Sequence, residues 1–271
     1  MGAAFLCERY FSWPLYLLTG ALIGGRLLGL GILMHDAVHG LLHPNKQVNE
    51  ILGDVLCSWP LWISLRSYRQ KHLAHHRWVN TQKDPDYIGK TDSNWNFPMP
   101  LGKFARIMLI QLTGLGVFES FRVMSNTTLK EGKEPSPRWY KAVRFGFYFT
   151  VIGAFVAAGL WKEMLLYWLV PFFTWTQFAN RLRRVAEHSA VEGMEKEFQT
   201  RTTIHGWIAR LFLAPNNIGY HNEHHLLPGV PWYRLPQTHK AFGQFDDARA
   251  HMHTAHSYQN VLKEIIREEG R

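Results

Sequence analysis

Residues 145–180 read FGFYFTVIGAFVAAGLWKEMLLYWLVPFFTWTQFAN, a stretch whose only charges are Lys162 and Glu163. Phe145 to Trp161 and Met164 to Asn180 carry no charge at all. Each run is near the roughly 20 apolar residues that a membrane-spanning helix requires. Two such runs separated by two residues predict a tight helical hairpin with its tip at Lys162–Glu163. Pro171 predicts a kink in the second arm, because proline lacks the amide hydrogen that a helix interior needs. Two buried helices of a water-soluble bundle are the plainer alternative, and uncharged runs of this length count against it.

Working outward, Phe11 to Met34 is a third apolar stretch with one charge, Arg26. Ile51 to Leu65 holds Asp54 and Pro60 and reads as interfacial or re-entrant; Phe104 to Phe118 is equally short of a span. No linker divides the 271 residues, so residues 1–271 form one expected domain. The expectation is an all-α integral membrane fold with about three to four transmembrane helices. Of the 30 lysines and arginines, 14 lie between Arg66 and Arg144 and 12 follow Asn180, whereas the hairpin tip has Lys162 alone. That asymmetry puts both long polar regions in the cytosol, as a helical cap on a multi-pass protein.

Composition narrows the chemistry. The net charge is +9, but no basic run is interleaved with nucleic-acid-reading motifs, so the membrane and not nucleic acid is the expected partner. Cys7 and Cys57 are the only cysteines and make no disulfide framework or paired metal spacing. The first residues lack the basic region and cleavage site of a secretory signal. Any bound metal must therefore be held by histidine.

There are 15 histidines, and nine form four compact groups. His35 and His39 close the first apolar stretch in HDAVH. His72, His75 and His76 stand in HLAHH, His188 stands alone after the hairpin, and His221, His224 and His225 stand in HNEHH. On a helix, residues three or four apart share a face, so each group aims its imidazoles into one space. A random chain with this histidine content would hold about 0.05 copies of His-x-x-His-His, and this one holds two. Imidazole suits iron, zinc, copper or nickel, and nine donors are too many for one ion and about right for two.

In this order and spacing, the groups resemble the histidine boxes of the membrane fatty acid desaturase and hydroxylase superfamily. The run HHRWVNTQKDPD (75–86), the segment from Arg184 to His188, and the stretch from Ala214 to Pro236 resemble bacterial acyl-chain desaturases in particular. The family has two spans before its first box where this chain offers one, and Ala3 to Cys7 reads as the stub of a further helix.

The resemblance implies that His35, His39, His72, His75, His76, His188, His221, His224 and His225 hold two iron ions. It implies O2 as co-substrate and a lipid or acyl-chain substrate. The implied location is a bacterial plasma (inner) membrane, with the boxes facing the cytosol. No His-Pro-Gly-Gly motif of a fused cytochrome is present, so electrons come from a separate ferredoxin, cytochrome or reductase.

The expected reaction is desaturation of a fatty acyl chain. Hydroxylation or ketolation of a lipid or carotenoid is the alternative within the superfamily. A non-catalytic metal carrier is the rival from another class, and it should place polar ligands along a path at the bilayer midplane. Beside the ligands, Asp36, Glu187 and Glu223 are candidate acceptors for the second ring N–H of a histidine. Asn217 either reaches the site or shapes a turn, the turn being favoured. Asp84 and Asp86 read as turn formers. His43, His205 and His239 lack clustered partners, and His251, His253 and His256 read as a solvated tail.

Overall fold

The computed structural model describes residues 2–88, 93–119, 136–191 and 198–267, and these are mostly helical. The N-terminal helix α1 (Gly2–Arg9) leads into α2 (Trp13–Val38). Ser12, extended, accepts from Leu15 N and Pro14 fills the first turn, so capping and a preset φ start α2 together. Its 26 residues extend about 39 Å, more than the apolar core of a bilayer. Among the described residues it is the one helix long and apolar enough to span.

The expected hairpin differs in detail. Its first arm is α7 (Arg138–Ala157), which follows the shorter helices α3 (Lys46–Leu52), α4 (Leu65–Trp78), α5 (Pro85–Ile88) and α6 (Leu101–Leu112) in the chain. Arg138, Lys141 and Arg144 occupy the first two turns of α7, which shortens its apolar part below a full span. The chain reverses at Ala158–Leu160, not at Lys162–Glu163, because Gly159 can take φ +71° there.

The second arm is then broken. Residues Trp161–Met164 are α-helical, Leu165–Leu169 form a π-turn, Val170–Phe173 return to α, and Thr174 (φ −109°, ψ −87°) interrupts before α8 (Trp175–His188). The wide turn lies just ahead of Pro171, whose ring cannot share the normal α ladder. The helices described thus show one full-length span and not the three to four that the apolar runs suggest.

Ile51 to Leu65 is not a span. It passes from α3 through a π-turn (Gly53–Ser58) and a 3-10 turn (Trp59–Leu61) to a left-handed Trp62. Buried Asp54 organises it, accepting from Tyr140 Oη (2.6 Å), Ser58 Oγ (3.1 Å) and Leu65 N (3.4 Å). Ser64, also 3.3 Å from Tyr140 Oη, caps α4. A charge in an apolar setting is tolerated only with partners, and these partners fix where α4 begins.

Two glycines let α2 pack closely. A Cβ on Gly24 would sit 2.7 Å from Trp175 Cβ, and one on Gly25 would sit 2.6 Å from Leu211 O. The single charge of α2, Arg26, donates to the carbonyls of Arg210 and Leu211 in α9 (Trp207–Phe212), at 2.5 and 2.6 Å. Further along lie α10 (His221–Leu226), α11 (Leu235–Phe242), a short helix at Asp246–His251, and α12 (Tyr258–Ile265).

Strands are few and short, arranged as two parallel pairs: β1 (Met99–Pro100) with β4 (Ile266–Arg267), and β2 (Arg201–Thr203) with β3 (His253–Ala255). The largest apolar cluster joins α6, α8 and α12 through Phe104, Ile107, Val185, Ala186, Val261 and Ile265. At roughly 1.5–3 kcal/mol for each fully buried large aliphatic side chain, this cluster is what holds the C-terminal segment against α8. A smaller cluster of Met34, Ala37, Val38, Cys57 and Leu65 packs the end of α2 against α4.

Candidate metal centre

The end of α2, all of α4, the end of α8 and the start of α10 meet, and all nine grouped histidines converge there. They form two sets whose ring nitrogens lie within 4.8 Å of one another. One set is His35, His39, His72, His76 and His224; the other is His75, His188, His221 and His225. The sets abut, since the rings of His76 and His225 stack at 4.3 Å.

Helix geometry explains the split. His72 and His76 lie four apart on α4 and face one way, while His75 is turned to the other set. The pair His221 and His225 repeats the pattern on α10, with His224 turned across.

Distances between nitrogens speak to what fits between them. His72 Nε2 lies 3.0 Å from His39 Nε2 and 2.9 Å from His76 Nε2, and His76 Nε2 lies 3.0 Å from His224 Nε2. In the second set His221 Nε2 lies 2.9 Å from His188 Nε2 and 3.1 Å from His225 Nε2. Neither ring nitrogen of buried His35 has a hydrogen-bond partner among the described residues.

A neutral imidazole has one N–H and one lone pair, so such chains of facing nitrogens cannot all be satisfied by one another. Burial, reinforced by neighbouring histidines, also drives the rings toward the neutral form. His39 is lowered to about 4 and His76 to about 2, and His72, His221, His224 and His225 fall well below the ordinary imidazole value. Neutral, converging, nitrogen-only donors are what a transition-metal cation requires.

The residues around the rings differ from expectation in several places. Asp84, read from sequence as a turn former, has two tasks. It accepts from Asn80 N (2.9 Å) and Asp86 N (2.8 Å), and its oxygens lie 2.9 and 3.0 Å from His75 Nδ1. Both side chains are buried, so the contact fixes the His75 tautomer with Nε2 left free for a cation. The nine-residue separation across a turn carries no periodic signal that would have exposed this pair.

Among the described residues, Glu223 bonds no grouped histidine. It accepts from Thr202 Oγ1 (2.6 Å) and pairs with His239 Nδ1, which gives His239 a partner the sequence did not suggest. Asp36 accepts from Trp232 N at 3.2 Å and lies 3.5 Å from His35 Nδ1; Glu187 lies 3.6 Å from His221 Nε2 and 3.1 Å from Arg183. Asn217 is left-handed at φ +51° and donates to Trp232 O, a turn position.

Gly219 precedes α10 where a Cβ would fall 2.1 Å from Thr203 O. His43 accepts from Asn45 N and His205 stacks on Tyr258, both apart from the centre. The tail reading of His251 and His253 is corrected: His251 stacks on Phe198, and His253 lies in β3 beside Glu264 at 3.0 Å.

A family model described as fatty acid desaturase matches residues 11–256. The chain is 28% identical to a dihydrorhizobitoxine desaturase of Bradyrhizobium elkanii, over 89% of this chain and 74% of that protein. It is 26% identical to a β-carotene ketolase of Paracoccus sp. strain PC1, over 80% of this chain and 76% of that protein. A sphingolipid delta(4)-desaturase of Drosophila melanogaster is 26% identical over 97% of this chain and 76% of its own length.

Proposed function

The chain belongs to the fatty acid desaturase family and is an oxidoreductase of that kind, and from this premise we propose that it is a membrane-bound di-iron enzyme that desaturates an acyl chain. The observation that carries this reading is the convergence of nine histidines into two abutting nitrogen-only sets. Two such sets fit two cations, one in each. When bound, iron supplies the redox chemistry by which –CH2–CH2– plus O2, two electrons and two protons becomes –CH=CH– plus two waters.

The chain's own residues orient and protect. Asp84 fixes the face that His75 presents. Burial of His35, His72, His188, His221 and His224 keeps bulk water from those rings. Outward-facing Leu17, Leu18, Phe145, Phe149 and Val156 give α2 and the hairpin an apolar surface suited to lipid, in keeping with a multi-pass inner-membrane protein whose histidines face the cytosol. The ligands stand at helix ends among polar segments, which favours an enzyme over a carrier with a midplane path. The two electrons come from a separate ferredoxin, cytochrome or reductase.

The Paracoccus relative, named as a ketolase, favours one second reading, oxygen insertion into a lipid or carotenoid. Mass spectrometry of lipids from cells expressing the chain, against cells expressing His224→Ala, separates the two. Products two hydrogens lighter support desaturation, and products carrying an added oxygen support ketolation or hydroxylation. Identical lipidomes with and without His224, given a competent electron donor, would count against both.

A further inference from the structure

Each histidine set takes rings from the C-terminal end of a longer helix, α2 for one and α8 for the other, and each end is bonded by an arginine of another element, Arg69 of α4 and Arg201 of β2. At the end of α2, Arg69 donates to Val38 O (Nε, 3.4 Å) and to Ala37 O (Nη2, 3.2 Å), which also accepts from Asn49 Nδ2 at 2.9 Å; both carbonyls lie between His35 and His39. Its charge is met by Glu50, at 2.5 and 2.8 Å. At the end of α8, Arg201 donates to Ala186 O (Nη1, 2.7 Å) and Ser189 O (Nη2, 2.9 Å), carbonyls on either side of His188. Its charge is met by Glu264 of α12 at 2.6 Å, with His253 alongside. The Arg201 side chain is fully buried.

The last carbonyls of a helix have no partner within the helix, and a cation there both bonds them and opposes the negative end of the dipole. A planar guanidinium can serve two carbonyls and a carboxylate at once; a lysine ammonium is a single point charge and cannot reproduce that fork. Neither arginine lies among the converging ring nitrogens, so each acts through the backbone that carries a histidine.

We propose that Arg69 and Arg201 are positioning residues, one for each half of the centre: Arg69 sets His35 and His39, and Arg201 sets His188. The second clamp makes one metal site depend on α12, because Glu264 and the β2–β3 pairing seat Arg201. This inference rests on the two-metal reading above. It goes beyond that reading in assigning separable control of the two sites to residues that touch neither metal.

Full-length protein in detergent, reconstituted with iron-57, tests it by elemental analysis and Mössbauer spectroscopy. His39→Ala and His188→Ala give reference spectra for damage to each set. Arg201→Ala is expected to disturb the same site as His188→Ala but less severely, with roughly 10- to 100-fold weaker binding there in place of that variant's outright loss, and with the other site's signal retained. Arg69→Ala is expected to match His39→Ala. Arg201→Lys should not rescue, and Glu264→Gln should move the same signal by less.

Should Arg201→Ala aggregate, Glu264→Gln and Arg201→Lys carry the same readout. Folded arginine variants that lose both irons in step, or that leave both signals unchanged, overturn the clamps. A wild-type chain that takes up no iron overturns instead the metal reading on which they rest.

Discussion

The two halves of the histidine centre are built differently. The first half draws His35, His39, His72 and His76 from within about forty residues, with His224 alone arriving from far along the chain. A small cluster around Met34 and Leu65 packs it. The second half takes one histidine from each of α4 and α8 and two from α10, and its support comes from β2, β3 and α12. One half is a local assembly of five rings; the other is a long-range assembly of four. Local assembly needs few closures of the chain, whereas the second half exists only once distant segments are docked.

That contrast predicts unequal tolerance to loss. Removing one ring from the set of four is expected to abolish metal binding there and activity with it. Removing His39 from the set of five should leave a weakened but occupied site. Elemental analysis of His188→Ala beside His39→Ala checks this, and equal losses would break the comparison.

Next in size is Asp84→Asn, which keeps the shape and removes the charge at His75. Metal affinity or activity should fall about 10- to 100-fold through the second half alone. A change confined to the first half's spectroscopic signal would contradict the assignment.

The same contrast extends to glycines. A Cβ on Gly219 meets the Thr203 carbonyl at 2.1 Å and His205 Nε2 at 2.5 Å, while one on Gly53 meets Ala37 Cβ at 2.6 Å and Leu65 Cδ2 at 2.7 Å. A backbone carbonyl yields less than side chains do. Gly219→Ala should therefore cost about 1–3 kcal/mol, with Gly53→Ala nearer the low end. Thermal melts of the detergent-purified variants would compare them.

The last effect is one of pH, in metal-free protein. His39 is lowered to about 4, chiefly by burial, so the folded chain refuses a proton that the unfolded chain accepts. Its contribution to stability is present above the unfolded value of about 6.5 and is lost as pH falls toward 4. His239 is raised, chiefly by its bond to Glu223. Its contribution is present below about 6.5 and is lost as pH rises through its folded value. Titration of nitrogen-15 histidine resonances should find the two on opposite sides of the free imidazole value.

Sequence showed most of the candidate site and less of the fold. The nine histidines were legible because their spacing of three and four is a helical spacing, and the rings do share faces. Asp84, Arg69, Arg201 and Glu264 were not legible as parts of the centre. Their partners are brought close by turns and tertiary docking, which leave no period in the chain. The hairpin was legible from its uncharged runs. Its reversal lies earlier than the charge pattern suggests, because Gly159, not the charged pair at 162–163, supplies the left-handed turn. The break at Leu165–Leu169, just ahead of Pro171, was legible from the proline; the second, at Thr174, has no signal in hydropathy. The place of His253 in a strand leaves no local signal, because β3 pairing is set by a strand some fifty residues earlier.

The central claim is that the two histidine sets each hold one iron. The direct test is iron-57 Mössbauer spectroscopy with elemental analysis on the purified, reconstituted wild-type chain. The account predicts close to two irons per chain in two nitrogen-rich environments, one lost with His188 and the other weakened with His39. A chain that persistently binds no iron, or a single ion shared by both sets, would contradict it.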